Sequence, residues 1–254
     1  MHSLLCIIEI IKSFDIIAVQ EVKDDIKCLR DTLRMLGDDW SFIMTDVTKG
    51  DRGNGERLAF IFNTTRVKLS GLACEIVVPR KQLEDIGIDA LDRQFARTPY
   101  AVGFRAKNKT FVLLTLHVLY GNNSAHRVPE LKAIAEWMYA WAKQLKRWNQ
   151  SLITLGDFNI ERQGDPAYNA FVSKGLFIPP QIRDLPSTIF KDLKLYDQIG
   201  WYKNSHGKSQ IALEFNTGGI FDFRDHLLIN RNYSLSKLSH RISDHFPLWC
   251  EFMV

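Results

Sequence analysis

The stretch Ser151-Leu152-Ile153-Thr154-Leu155-Gly156-Asp157-Phe158-Asn159 decides the reading of this chain. Its first five residues form a brief apolar strand entered from a helix. Gly156 then lets the backbone turn sharply, and Asp157 and Asn159 follow two residues apart. On an extended backbone such residues project to the same side. A carboxylate able to bind a cation or water and a carboxamide able to bind an oxyanion are therefore expected at the end of a buried strand. Gly, Asp and Asn are also ordinary turn residues, so the meaning of the run depends on its company elsewhere.

The chain has 254 residues, of which 46% are hydrophobic, enough for a large core. Its formal charge of +4 suits an anionic partner such as a phosphodiester without requiring one. Cys6, Cys28, Cys74 and Cys250 are scattered, with no C-x-x-C spacing. They read as reduced core residues, and the expected compartment is cytoplasmic. The apolar run Leu4–Ile11 contains Glu9 and is too short to cross a bilayer. A soluble protein is expected. No repeat, low-complexity tract or linker divides the sequence, so residues 1–254 are expected to form one domain.

Periodicity predicts a helix over Ser3–Phe14 and a fully buried strand over Asp15–Val19 that ends at Gln20-Glu21. A second helix, Asp24–Leu36, stops at Gly37. Strands follow at Trp40–Thr45 and Leu58–Phe62, with a polar, Gly-rich loop at Lys49–Glu56 between them. One or two further strands are expected in Val67–Val78, and a charged surface loop with a helical turn in Lys81–Gln94. Tyr100–Phe104 and Thr110–Leu116 read as a strand pair, the second running into His117. The longest helix is Pro129–Trp148, with Leu131, Ile134, Met138, Trp141, Leu145 and Trp148 on its core face. Asp165-Pro166 starts another helix, Pro179–Pro186 reads as a loop, and from there short strands alternate with turns to the end, closing with Phe246–Met253. This mixture predicts packed sheets with helices outside them.

The chemistry-bearing residues fall at strand ends. Glu21 ends a strand where an unpartnered charge is costly, and a hard cation is an economical partner for it. His117 ends another strand. Ser243-Asp244-His245-Phe246-Pro247 sets an acid beside an imidazole at the mouth of the last strand. Asp197, in Tyr196-Asp197-Gln198, could orient an imidazole through its ring N–H. Glu56-Arg57 and Arg97-Thr98-Pro99 add an acid and a fixed cation. Two histidines, several carboxylates and an arginine are the parts of a metal-assisted phosphoester hydrolase.

Taken in order, Asp15–Glu21, Glu56-Arg57-Leu58-Ala59-Phe60, Arg97-Thr98-Pro99, Leu116-His117, Leu155–Asn159, Tyr196-Asp197 and Ser243–Pro247 resemble the endonuclease/exonuclease/phosphatase superfamily, and within it the deoxyribonuclease I branch. The resemblance implies an α/β fold, a four-layered sandwich of two packed mixed sheets flanked by helices. It implies Mg²⁺, with Mn²⁺ as a substitute, held by Glu21, Asp157 and Asp244. It implies an acid/base pair, His117 with Glu56 and His245 with Asp197, and Asp157 and Asn159 handling the water and the scissile phosphate. Arg97, Lys23, Asn159 and Thr188 would hold phosphate oxygens. The expected activity is a nuclease on DNA or RNA with little sequence preference, without a membrane or an obligate protein partner. The alternatives are a phosphatase or phospholipase acting on inositol phosphates or lipid head groups, and a catalytically impaired homologue.

Two departures stand out. The family's opening strand carries an Asn before the first helix, whereas here the helix begins almost at Met1. Residues 1–2 are too few for a strand. A vacant strand position beside Asp15–Val19 is therefore expected, with a metal site short of one ligand. No Cys pair matches the disulfides of the secreted deoxyribonucleases.

Overall fold

A computed structural model describes residues 2–23, 25–48, 55–76, 97–120, 127–147, 151–190, 193–204, 206–225, 227 and 233–254. The expected loops at Lys49–Glu56, up to residue 54, and Lys81–Gln94 lie outside the described residues, as does Trp148.

The first third pairs two helices with three strands: α1 (His2–Lys12), β1 (Ile16–Val22), α2 (Lys27–Leu36), β2 (Trp40–Met44) and β3 (Arg57–Asn63). Gly37 ends α2 at φ 93°, a conformation that costs glycine little. The strands order as β1-β3-β2, all antiparallel. The period of two decides which side each residue serves. Leu58, Phe60 and Phe62 of β3 enter the core between the sheets. Ile61 turns the other way and packs with Ile8 and Ile11 of α1 and Leu29 and Leu36 of α2.

Facing this sheet is a six-stranded mixed sheet of order β4-β5-β6-β7-β9-β8. It comprises β4 (Lys68–Glu75), β5 (Tyr100–Ala106), β6 (Lys109–His117), β7 (Ser151–Asp157), β8 (Leu176–Phe177) and β9 (Asp197–Tyr202). β6 and β7 run parallel, which requires a crossover, and α3 (Arg127–Arg147) supplies it. Leu131, Ile134, Met138 and Leu145 of α3 are buried on the sheet's outer side. Two remaining strands, β10 (Glu214–Ile220) and β11 (Leu248–Met253), form an antiparallel pair. The result is the expected sandwich of packed sheets between helices.

Short elements fill the connections. α4 (Pro166–Val172) begins as expected, with the Tyr168 N–H donating to Asp165 Oδ1 at 2.6 Å. The Pro-rich segment holds a single helical turn, α5 (Pro180–Arg183), since proline at the first helical position gives up no hydrogen bond. α6 (Leu235–Arg241) stands where only strands and turns are expected, and Ser234 caps it by accepting from Lys237 N–H. No helix is long and apolar enough to cross a membrane among the described residues. Of the four cysteines only Cys6 is fully buried, and Cys28 is exposed on α2, correcting the expectation of four core thiols.

β1 is half-exposed rather than fully buried. Among the described residues it pairs only with β3, and β11 only with β10. Between the two lies a groove of about 1960 Å³, lined by Ile16, Ile153, Leu155, Ile199, Leu248 and Phe252 among others. Six strands thus face three plus two, with an open position between the two groups. An extended segment with alternating apolar residues, joined ahead of α1, is expected to raise the melting temperature by several degrees. Thermal unfolding of the two forms checks this, and an unchanged melting temperature would show that the groove admits no strand.

Candidate active site

Strand register assembles the centre of the site. His117 ends β6 and lies opposite Asp157 at the end of the parallel β7. Asp157 lies opposite Asp197, the first residue of the antiparallel β9. One transverse row across three strands therefore carries an imidazole and two carboxylates. His245, just ahead of β11, closes the row, its Nδ1 2.8 Å from Asp197 Oδ2.

The other sheet brings the remaining acids. Val22 of β1 pairs with Arg57 of β3, and on either side of this pair Glu21 and Glu56 bring their carboxylates within 4.8 Å of each other. A register shift between Val19 and Val22 interrupts the ladder here, and Glu21 sits at φ 58°. Such a bulge re-aims side chains. Gln20 reaches across to the facing sheet, its Nε2 donating to the Leu116 carbonyl at 2.6 Å. Glu21, Glu56 and His117 each bring one ligand atom into a set lying within 4.8 Å of one another.

Burial and charge differentiate these groups. Glu56 is 2% exposed and accepts from Arg97 Nε at 2.6 Å and from Lys23 Nζ at 2.8 Å. Its charge is already matched. Asp157 has no such cation: burial, then the nearby Asp197, push its carboxyl up to about 7. Burial, then the Arg97 charge, push the His117 imidazole down to about 4. Burial opposes a charge on His245 too, but its hydrogen bond to Asp197 and the charges of Asp197, Asp157 and Asp244 outweigh it, raising it to about 9. At neutral pH His117 is therefore neutral and His245 is an imidazolium.

The sequence-predicted residues separate into two groups. Glu21, Glu56, His117, Asp157, Asp197, His245, Arg97 and Lys23 meet in one site through the contacts above. Asp244 is exposed at its margin and acts on His245 through charge. Of the expected metal ligands, Glu21 belongs to the three-residue set, whereas Asp157 and Asp244 do not. Asn159, 3% exposed and at φ 51°, spends an N–H of its amide on the Val118 carbonyl, 2.7 Å away. Thr188 is fully buried, and its hydroxyl accepts the Asp197 N–H at 3.2 Å while its carbonyl accepts the Phe246 N–H at 2.8 Å. It stands behind Asp197 and ties that residue to the segment carrying His245. His117 Nδ1 is 3.5 Å from Glu56 Oε2 and Nε2 is 3.7 Å from Asp157 Oδ2, so the imidazole lies between two acids.

Sequence reasoning missed Gln20 as the link between sheets, although it directly precedes Glu21. It also missed Tyr196, whose ring lies 6.1 Å from that of His245. The donor set fits a hard divalent cation: carboxylate oxygens without a thiolate, one of them a buried carboxylate short of positive charge.

No protein-family model matches the chain. A protein named deoxyribonuclease from Thioalkalivibrio sp. (strain K90mix) is 28% identical over 250 residues, covering 94% of this chain. The chain spans 63% of that curated relative's length. The human Nocturnin catalytic domain superposes with a TM-score of 0.66 at 19% identity, covering 99% of this chain and 86% of that one. An endonuclease/exonuclease/phosphatase family protein from Bacteroides thetaiotaomicron gives 0.61 at 20%, with 99% and 85% coverage. The mannosyl-6-phosphatase of the same organism gives 0.62 at 20%, with 100% and 90%.

The two imidazoles set opposite slopes of stability against pH. A histidine held neutral to about 4 loses folding stability as pH falls from about 6.5 to 4, because the unfolded chain takes up the proton first. One raised to about 9 contributes fully below about 6.5 and loses that contribution as pH rises to 9. In chelator, His117→Gln is expected to flatten the acid limb and His245→Gln the alkaline one, as read by denaturant midpoints across pH. Through this chain runs the fold of the endonuclease/exonuclease/phosphatase proteins.

Proposed function

We propose that the chain is a metal-dependent phosphodiester hydrolase acting on nucleic acid, a nuclease with little sequence preference. The observation that carries this reading is the row His117–Asp157–Asp197–His245, in which two histidines of opposite protonation state flank a charge-deficient carboxylate. The 28% identity to a protein named deoxyribonuclease supports the choice of substrate class.

Glu21 and Asp157, beside Glu56 and His117, would hold Mg²⁺ or Mn²⁺, which when bound offsets the charge of the phosphate and its developing oxyanion. The chain's own residues do the rest. Arg97 is anchored through Nε on Glu56, while its buried Nη1 has no hydrogen-bond partner among the described residues and would turn to a phosphate oxygen. With Nδ1 turned to Glu56, neutral His117 accepts a proton from water at Nε2. His245, its Nδ1–H donated to Asp197, gives the Nε2 proton to the leaving oxygen. Thr188 and Gln20 keep the two halves of this arrangement in place.

The second reading, hydrolysis of a sugar or inositol phosphate, is favoured by the fold shared with the mannosyl-6-phosphatase. Supercoiled plasmid, an inositol polyphosphate and a generic phosphodiester, each with and without Mg²⁺, separate the two. Turnover is expected to vanish in EDTA and return with Mg²⁺; undiminished turnover in EDTA would sink the metal reading. His117→Ala and His245→Ala should each lower turnover by at least about a hundredfold. The double variant should fall far short of the product of the two losses, since both act in one unit. Multiplying effects would place the chemistry elsewhere.

A further inference from the structure

Beside His245 the site continues into a wall of aromatic and cationic groups that the hydrolytic steps do not use. Tyr196, adjacent to Asp197 in the chain, meets Tyr120 edge to face with ring centroids 6.0 Å apart. Their hydroxyls lie 3.5 Å apart, and Lys194 Nζ donates to the Tyr196 oxygen at 3.0 Å. Tyr120 follows His117 by three residues and is 55% exposed, although both Tyr196 and Arg127 hold its ring. The Arg127 guanidinium lies 5.5 Å from the Tyr120 centroid. Arg127 is 3% exposed; its Nη2 donates to Glu161 at 3.2 Å, while Nε and Nη1 have no hydrogen-bond partner among the described residues.

A buried guanidinium with two unpaired nitrogens is expensive. Placed against an aromatic ring it gains a cation–π attraction and fixes the ring's position. An exposed ring fixed in this way, separated from His245 by Tyr196, matches the stacking platforms that bind single-stranded nucleic acids, where bases stack without sequence preference.

We infer that Tyr120, backed by Arg127 and Tyr196, forms a subsite that stacks the nucleobase next to the scissile phosphate, on the side of the oxygen leaving toward His245. Lys194, at the same corner, faces that nucleotide's neighbouring phosphate. The inference rests on the nuclease reading and names its substrate: a strand whose bases are unstacked, hence single-stranded or locally opened.

Binding tests it separately from cleavage. In a His117→Ala background with Mg²⁺, fluorescence anisotropy gives the affinity for a short labelled single-stranded oligonucleotide and for the same backbone carrying tetrahydrofuran in place of every base. The expected result is a preference for the base-bearing strand that Tyr120→Ala lowers by about tenfold or more and Tyr120→Phe preserves. An equal loss on both strands would overturn the subsite, assigning Tyr120 to support of Tyr196. So would an unchanged preference, or competition by an inositol phosphate that depends on Tyr120 more strongly than the oligonucleotide does. Plasmid cleavage by the unmodified protein reports on the nuclease reading itself, so failure of that assay leaves the binding result interpretable.

Discussion

The arrangement depends on one close approach between the two sheets. Gln20 crosses from β1 to the Leu116 carbonyl, and that carbonyl lies against Gly156. A side chain at 156 would collide with the Leu116 oxygen and meet the Gln20 amide, and the backbone there is at φ 141°. Glycine is thus required twice, for space and for conformation. The clamp stands one residue before Asp157 and one before Glu21 and His117. Sliding either sheet by a residue would send these groups to opposite faces. The register of β6, β7 and β9 and the bulge in β1 are therefore parts of one device.

Charge is distributed around this clamp unevenly, and the unevenness is what makes the site reactive. Glu56 is buried with two cations and is electrostatically satisfied. Asp157 is also buried, but among the described residues no lysine or arginine pairs with it; it accepts the Asn159 N–H at 2.8 Å and feels the His245 charge from beyond Asp197. An inert ion-pair network would have spread its cations across both acids. Leaving one carboxylate deficient while a second histidine is held charged by Asp197 creates a place for a cation and a source of a proton within one row.

Much of this was legible in the sequence, because it depended on local patterns. Strand ends, glycine stops and the Asp165–Pro166 cap are encoded within a few residues, and most elements fall within two or three residues of their expected bounds. The approach of Glu21 to Glu56, by contrast, depends on the irregular end of the β1–β3 ladder, which no local pattern states. The bulge that carries Glu21 to the edge of the site beside Glu56 and His117 is equally nonlocal. The resemblance assigns the Thr188 hydroxyl to phosphate, and only the fold shows it accepting the Asp197 N–H instead. β1 looked fully buried from its composition, yet burial depends on neighbours, and its second edge opens on the groove.

That groove connects the stability of the fold to its chemistry. Its walls run from the apolar midsection of β1 and β11 to Glu21, Asp157, Asp197, Asp244 and His245. Among the described residues, the strand bearing Glu21 is held in the sheet along one edge only, and so is the strand that follows His245. Edge strands exchange and fray more readily than central ones. His117 and Asp157, on the central β6 and β7, are the fixed half of the site. Glu21 is carried on β1, whose second edge opens on the groove, whereas His245 is tied back to β9 through Asp197. A strand filling the groove would therefore act first on Glu21 and on the set it forms with Glu56 and His117.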